Sequence, residues 1–383
     1  MIRPYRDFLL PTGLLAGTII GAGVFALPYL FERAGILTGL FYLALGALIY
    51  TLVHLFYADV ILRTPGEHRF VGYAEIYLGR KFKWLAILMA VLEMILVMTI
   101  YLILSLSFAN LIAPGNGIYK LLVFWILGSL AIFLSVRRLT LVEFLISWGM
   151  IAIILLIFIL GLPKFNQVSA PDFYPRSANI LLPLSAVLFS LGGRVAIPSL
   201  VKYFKLPGIG HNYGLIKKSV IWGTVIPAVT YALFVFGILG LSGVVSEDSV
   251  TGLIGQVPNW LLAVIGILGI LSLWSSYIVV GLDVSNTLLY DLKLNKFVRI
   301  AAVVFAPLIL YFLSSQNFIA LVSFTGGIFL ALEGIFIIVM WVYANRLSEK
   351  PPLLVKKINP AVTVVALLIF AIALTYEILK KFL

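Results

Sequence analysis

The sequence predicts an all-α polytopic membrane protein made of two inverted halves, and three observations predict it. The first is composition. Of 383 residues, 62% are hydrophobic and only 11% charged, with a mean hydropathy of +1.14. Apolar stretches of about 20 residues, the length that crosses a ~30 Å hydrocarbon core, follow one another along the whole chain. The second is a glycine/proline motif that occurs twice: Gly23-Val24-Phe25-Ala26-Leu27-Pro28 and Gly193-Arg194-Val195-Ala196-Ile197-Pro198 match at Gly, Ala and Pro with an offset of 170 residues. The third is that basic residues gather on alternate connections between the apolar stretches.

Eleven spans follow from hydropathy, at roughly 7–31, 35–62, 83–112, 117–135, 141–162, 180–201, 219–241, 258–290, 297–313, 316–344 and 359–379. Span 1 carries the first copy of the motif, preceded by Gly21, and span 6 the second, preceded by Gly192. Glycine weakens a helix and proline removes a backbone donor, so both spans should break there. In hydrocarbon, freed backbone groups are tolerated only against protein or a watery cavity. Broken spans at matching places in two halves therefore point to a transporter's binding site. Spans 3 and 8, each of ~30 residues, exceed the ~30 Å core at about 45 Å and should tilt or protrude. The intervening polar stretches are too short for a soluble core, so residues 1–383 form one transmembrane domain. The first segment reads as an uncleaved span, because no short apolar run ends in a small-residue cleavage site.

With the N-terminus cytoplasmic, the inner segments hold twenty Lys/Arg and the outer ones six, with Arg194 inside a span. This positive-inside asymmetry fixes orientation and puts the C-terminus outside. It also explains the net charge of +12 as contact with a lipid bilayer of a cell membrane rather than with nucleic acid. Five spans per half make span 1 run outward and span 6 inward, so the repeat is inverted: about 7–162 and 177–345, with an extra span at about 359–379.

The run Thr18-Ile19-Ile20-Gly21-Ala22-Gly23-Val24-Phe25-Ala26-Leu27-Pro28 resembles the first-span signature of bacterial hydroxy and aromatic amino acid permeases. These are relatives of the amino acid/auxin permeases within the amino acid–polyamine–organocation superfamily. Phe189 to Tyr203 resembles the sixth-span signature, including the Pro198-Ser199 and Lys202-Tyr203 pairs, and a third match runs from Ser275-Ser276 through Gly281-Leu282-Asp283. The three cover nearly the whole chain in order. The resemblance implies a LeuT-type five-plus-five inverted repeat with discontinuous helices 1 and 6, and proton-coupled uptake of a neutral amino acid.

A zwitterionic substrate needs donors for its carboxylate and acceptors for its ammonium. The amides of Ala22, Gly23 and Val24 open the outer half of span 1, at the positive end of a helix dipole, and suit a carboxylate. The carbonyls of Thr18 and Ile19, freed by unwinding, suit an ammonium group. Bare Cα atoms at Gly21 and Gly23 let a ligand reach the backbone; close helix packing is the alternative use of such glycines. In span 6, Phe189, Ser190, Gly192 and Gly193 should border the same cavity, with Phe189 as the side-chain contact. The small Gly193, where relatives often place a bulky residue or histidine, favours an aromatic or large aliphatic substrate.

Coupling is readable in two ways. Ser275 and Ser276, with the carbonyls of Gly17 and Ile20, stand where sodium-coupled relatives of the fold place ligands; hydroxyls bonded back to their own helix are the plainer reading. Alternatively, ionisable residues inside spans are costly and mark function: Glu93, Arg194, Asp283 and Glu333. Carboxyls in low dielectric can carry protons near neutrality, and protons are preferred because the resemblance implies them. Arg194 lies too deep to reach water along its own stem and should pair with Glu93, Asp283 or Glu333, or else meet the substrate carboxylate. Asp59, Glu75 and Glu143 read as interfacial, and Glu32-Arg33 as an outer solvated pair or gate. His54, His68 and His211 have no metal-ligand spacing, and no cofactor is implied. Without a nucleotide loop an ATP-driven pump is excluded, and three scattered histidines, with no clustered nucleophile–His–acid set, argue against a membrane enzyme such as an acyltransferase or rhomboid-like protease. A non-transporting amino acid sensor on the same fold remains, although such sensors add a long polar tail. The sequence leaves the oligomeric state open.

Overall fold

A computed structural model describes residues 5–113, 115–133, 139–167, 173–206, 212–356 and 358–380. Arg3, Arg137, Arg138, His211, Lys357 and Lys381 lie outside the described residues, as does the side chain of Glu143. All eleven expected spans are helical. Among the described residues, nine helical segments are long and apolar enough to cross a membrane, one of them (Ser177–Tyr203) with an internal break, and a tenth is a pair, Asp7–Ile19 and Ala22–Ala34, bent by 47° at its break. The remaining one, span 4, is the 17-residue helix Gly117–Phe133. The protein is thus a multi-pass membrane protein.

Span 1 breaks at Ile20 and Gly21 and resumes as a 3-10 turn over Ala22–Ala26 before Leu27–Ala34. Span 6 runs from Leu182 to Leu191, stops at Gly192, and resumes over Ala196–Tyr203. Both breaks fall on the glycines, as expected from their weak helix preference. The prolines, by contrast, lie within the first turns after each break, where a missing amide costs nothing. Pro227 and Pro307 sit inside unbroken helices. The spacing of glycines, more than the prolines, selects the breaks.

Two elements were not expected. Within the polar stretch at 63–83, Phe70–Leu78 forms a short helix, so span 3 starts at Arg80. Span 10 widens into a π-helical segment over Thr325–Leu330, a departure that often accompanies functional sites.

Spans 3 and 8, at 33 and 32 residues, are about 50 Å long at 1.5 Å per residue and pack along each other. Gly266 and Gly269 make this possible, because Ile112 and the Phe108 carbonyl of span 3 take the space where a side chain on Gly266 would stand, and the Phe108 ring that at Gly269. Spans 2 and 7 meet directly: His54 Nδ1 and Thr224 Oγ1 lie 2.9 Å apart in a buried hydrogen bond.

Asp59 corrects the reading of that residue as interfacial. It is completely buried. Oδ1 accepts the amides of Leu353 and Leu354, both at 2.8 Å. Oδ2 accepts Trp341 Nε1 at 3.1 Å and Arg63 Nη1 at 3.4 Å. Arg63, equally buried, also donates to the Ala344 and Lys350 carbonyls and to Asn345 Oδ1. Together they tie the connection after span 10 to span 2. Glu75 behaves as expected, partly exposed and paired with Lys83 at 2.8 Å.

Candidate functional site

The two breaks face each other. A side chain on Gly23 would stand 2.5 Å from Ser190 Cα, and one on Gly193 2.7 Å from Ile19 Cγ1. Each motif glycine is thus pressed against the opposite span, three or four residues before the other motif glycine. This corrects two expectations. The space at Gly193 is taken by Ile19 and Leu15, and that at Gly192 by Leu330, so neither leaves room for a larger ligand. At Gly23 the bare Cα serves contact between the breaks, the alternative noted above. Gly21 is the open glycine: the nearest atom to an added Cβ is the Tyr101 hydroxyl at 3.6 Å. Gly23→Ala should therefore lower thermal stability by about 1–3 kcal/mol, the usual range for overpacking, and Gly21→Ala by less. Equal melting temperatures for the two variants would contradict this packing.

Around the breaks stand residues that hydropathy alone does not single out. The Tyr231 hydroxyl of span 7 donates to the Ile19 carbonyl at 2.6 Å and lies 3.1 Å from that of Ser190. Tyr101 of span 3 borders Gly21 and comes within reach of Ser276 of span 8, so Ser276 lies near a tyrosine beside the break. Ser275 is buried on the same helix. The Ser190 hydroxyl bonds back to Ala186 O at 2.7 Å, and that of Thr18, exposed, to Leu14 O at 2.9 Å; Gly17 is half-buried and Ile20 buried. Phe189 is half-buried and lies against Gly326 in the π-helical segment of span 10. Beyond Gly23, the Phe25 ring meets Phe108 and Phe234 edge-on, with centroids 4.9 and 5.5 Å away. Ser249, from the connection after span 7, donates to the Phe25 carbonyl at 2.7 Å.

On the side of the break nearer the lysine-rich end lies a buried charge cluster. Arg194, within the break of span 6, is 7% exposed and pairs through Nε with Glu333 Oε2 of span 10. Its guanidinium also lies 4.7 Å from the centroid of the Phe70 ring. Glu93 of span 3 comes within hydrogen-bonding reach of Glu333 and electrostatic reach of Arg194. Arg194 Nη2 and Glu93 Oε2 have no hydrogen-bond partner. Of the partners expected for Arg194, the structure selects Glu333 and adds Glu93 nearby. Asp283 instead pairs with Arg69 Nη1 at 2.7 Å in a partly exposed bridge. Arg69 and Phe70 are adjacent in sequence, so the start of the short helix Phe70–Leu78 touches both ion pairs.

At the opposite end a cavity of about 420 Å³ is lined by Tyr29, Arg33, Asn179, Glu247, Asn317 and Lys380 among others. Arg33 stands there over the Tyr29 ring, 5.2 Å from its centroid, on the wall of a cavity. Glu377 of span 11, overlooked among intramembrane acids because it is near a span end, is 6% exposed and accepts a bond from Ser185 Oγ at 3.2 Å. Among the described residues, no three His, Asp or Glu side chains gather as metal ligands.

Comparison with known proteins agrees with this architecture. A family model described as the tryptophan/tyrosine permease family matches residues 6–379. No curated protein matches the chain. Among solved structures, MhsT in complex with L-phenylalanine superposes with a TM-score of 0.71 at 13% identity, covering 96% of this chain and 98% of that one. A nucleobase-cation-symport-1 family transporter, Mhp1, closed with bromovinylhydantoin bound, gives 0.66 at 15% identity, over 98% and 92% of the two chains. A mutant of the Eremococcus coleocola manganese transporter gives 0.68 at 16% identity, over 98% and 87%. At such identities the likeness is one of fold, and the fold is the LeuT type.

Proposed function

The chain belongs to the tryptophan/tyrosine permease family, and from that premise we propose that it imports an aromatic amino acid, or a large aliphatic one, by proton symport with alternating access. Its family and fold are those of transporters. The observation that carries the proposal is the meeting of two broken spans beside a buried Arg194–Glu333–Glu93 cluster. The breaks offer backbone donors at Ala22, Gly23 and Val24 and backbone acceptors at Thr18 and Ile19, which match a zwitterion. Aromatic preference rests on family membership, since the space at Gly193 is filled. MhsT, solved in complex with L-phenylalanine, supports an amino acid as a ligand class for this fold.

The cluster holds two carboxyl groups against one guanidinium. With both carboxyls ionised it carries an excess negative charge in low dielectric, where such charge is costly. One proton removes that excess and leaves one carboxylate against one guanidinium. Because Arg194 belongs to the broken span and Glu333 to span 10, proton occupancy is linked to the position of the break. The lysine-rich end is cytoplasmic in this reading, so the cavity near Arg33 faces the outside, the N-terminus lies inside and the C-terminus outside.

Sodium is the second reading, with Ser275, Ser276, Gly17 and Ile20 as ligands; one structural neighbour is a Na+-coupled sialic acid symporter. Proteoliposomes separate the two. Uptake of tryptophan or tyrosine should need no ATP, persist when choline replaces sodium at fixed pH, and collapse with a protonophore. Uptake lost in choline and in Ser276→Ala would establish the sodium reading. Counterflow at background for every amino acid would remove both.

A further inference from the structure

Each break frees a carbonyl. In a continuous helix the Ile19 carbonyl would accept the amide four residues on, that of Gly23, and the Ser190 carbonyl that of Arg194. The chain unwinds at both places, and buried carbonyls without donors are costly. One side chain answers both. Tyr231 is wholly buried, and its hydroxyl lies 2.6 Å from the Ile19 oxygen and 3.1 Å from the Ser190 oxygen. A phenol has a single proton, so two carbonyls from different spans converge on one donor. The arrangement has more acceptor capacity than the tyrosine can fill.

We infer that Tyr231 is a positioning residue, whose hydroxyl pins the broken spans 1 and 6 together and aims the Ile19 and Ser190 carbonyls as a seat for the ammonium group of the substrate. This rests on the amino acid transport reading above. Span 7 thereby contributes to recognition without carrying a motif. An ammonium brings three donors to a place where one phenol proton is shared, and each carbonyl keeps a lone pair for it. A ligand without that ammonium gains nothing from the seat.

The test compares purified wild type with Tyr231→Phe, which removes one oxygen and keeps the ring. The probes are L-tryptophan and its deaminated analogue 3-(indol-3-yl)propionate, with binding read by thermal stabilisation over a concentration series. Tryptophan should bind the variant ~10–100-fold more weakly, the range for a lost hydrogen bond near a charge. Affinity for the analogue should change less than about twofold. A general loosening of the fold would weaken both ligands alike, and that result overturns the inference, as does unchanged discrimination in the variant. Wild type that binds no amino acid overturns the transport reading and the inference with it. Should the variant not fold, wild type labelled at the tyrosine ζ-carbon serves instead. Tryptophan must then shift a tyrosine resonance that the analogue leaves in place, and identical spectra with the two ligands count against the role.

Discussion

Arg194→Ala is expected, under the proposed proton symport, to reduce uptake by at least about tenfold, equivalent to ~1.4 kcal/mol, and to lower folding stability by about 3–5 kcal/mol. The cause is the partner left behind. Glu333 is 3% exposed, as is Glu93, and Arg194 is the cation that pairs with the first and lies within electrostatic reach of the second. Removing one member of a buried pair costs far more than the pair contributes, because a charge is stranded. The Phe70 ring also loses its guanidinium, and with it a desolvated cation–π contact worth up to ~2 kcal/mol. A double variant, Arg194→Met with Glu333→Met, separates the two effects. It should recover most of the melting temperature, since an apolar pair of similar volume replaces the ions, while uptake stays insensitive to the pH gradient. Gradient-driven uptake at the wild-type rate in that variant would show that the cluster serves only to brace spans 6 and 10.

Asp59→Ala should be the most damaging change outside the breaks, at about 3–5 kcal/mol. Four donors converge on this carboxylate: two backbone amides, an indole and a guanidinium. Alanine leaves the Leu353 and Leu354 amides and the buried Arg63 without their anion. Asp59→Asn should recover little, because the amide group presents donors to donors. The connection after span 10 is held by these bonds, so limited proteolysis there should accelerate in both variants. Protection equal to the wild type would mean that other contacts hold the connection. As Asp59 lies away from the breaks, the affinity of whatever protein remains folded should be unchanged.

The breaks show how much of the site was legible. Gly21 and Gly192 mark where helical bonding stops, and a repeat at one offset tells a shared device from a chance glycine. The deep placement of Arg194 required a partner, but sequence could not choose among Glu93, Asp283 and Glu333. That choice depends on how spans 3, 8 and 10 rotate about their axes, which hydropathy does not encode. Arg69 shows the same limit: it reads as one more basic residue near the lysine-rich end, yet it occupies Asp283 and so leaves Glu333 to Arg194. Tyr231 carried no signal at all, being one of 18 tyrosines. Asp59 was misjudged because distance from a span end says nothing about a connection folding back over it.

Composition and local pattern are enough to show that the chain is a bundle of eleven apolar helices, where two of them break, and that its charges lie mainly on one set of connections. These are local or compositional properties: the cost of a polar group in hydrocarbon, the helix preference of glycine, and the length of a span. Tertiary structure alone decided what the glycines touch, which carboxyl meets Arg194, and which hydroxyl satisfies the freed carbonyls of Ile19 and Ser190. Those answers depend on the rotation and tilt of each helix against its neighbours. In the membrane interior, close packing and the pairing of buried polar groups fix those angles, and both are properties of several spans acting at once.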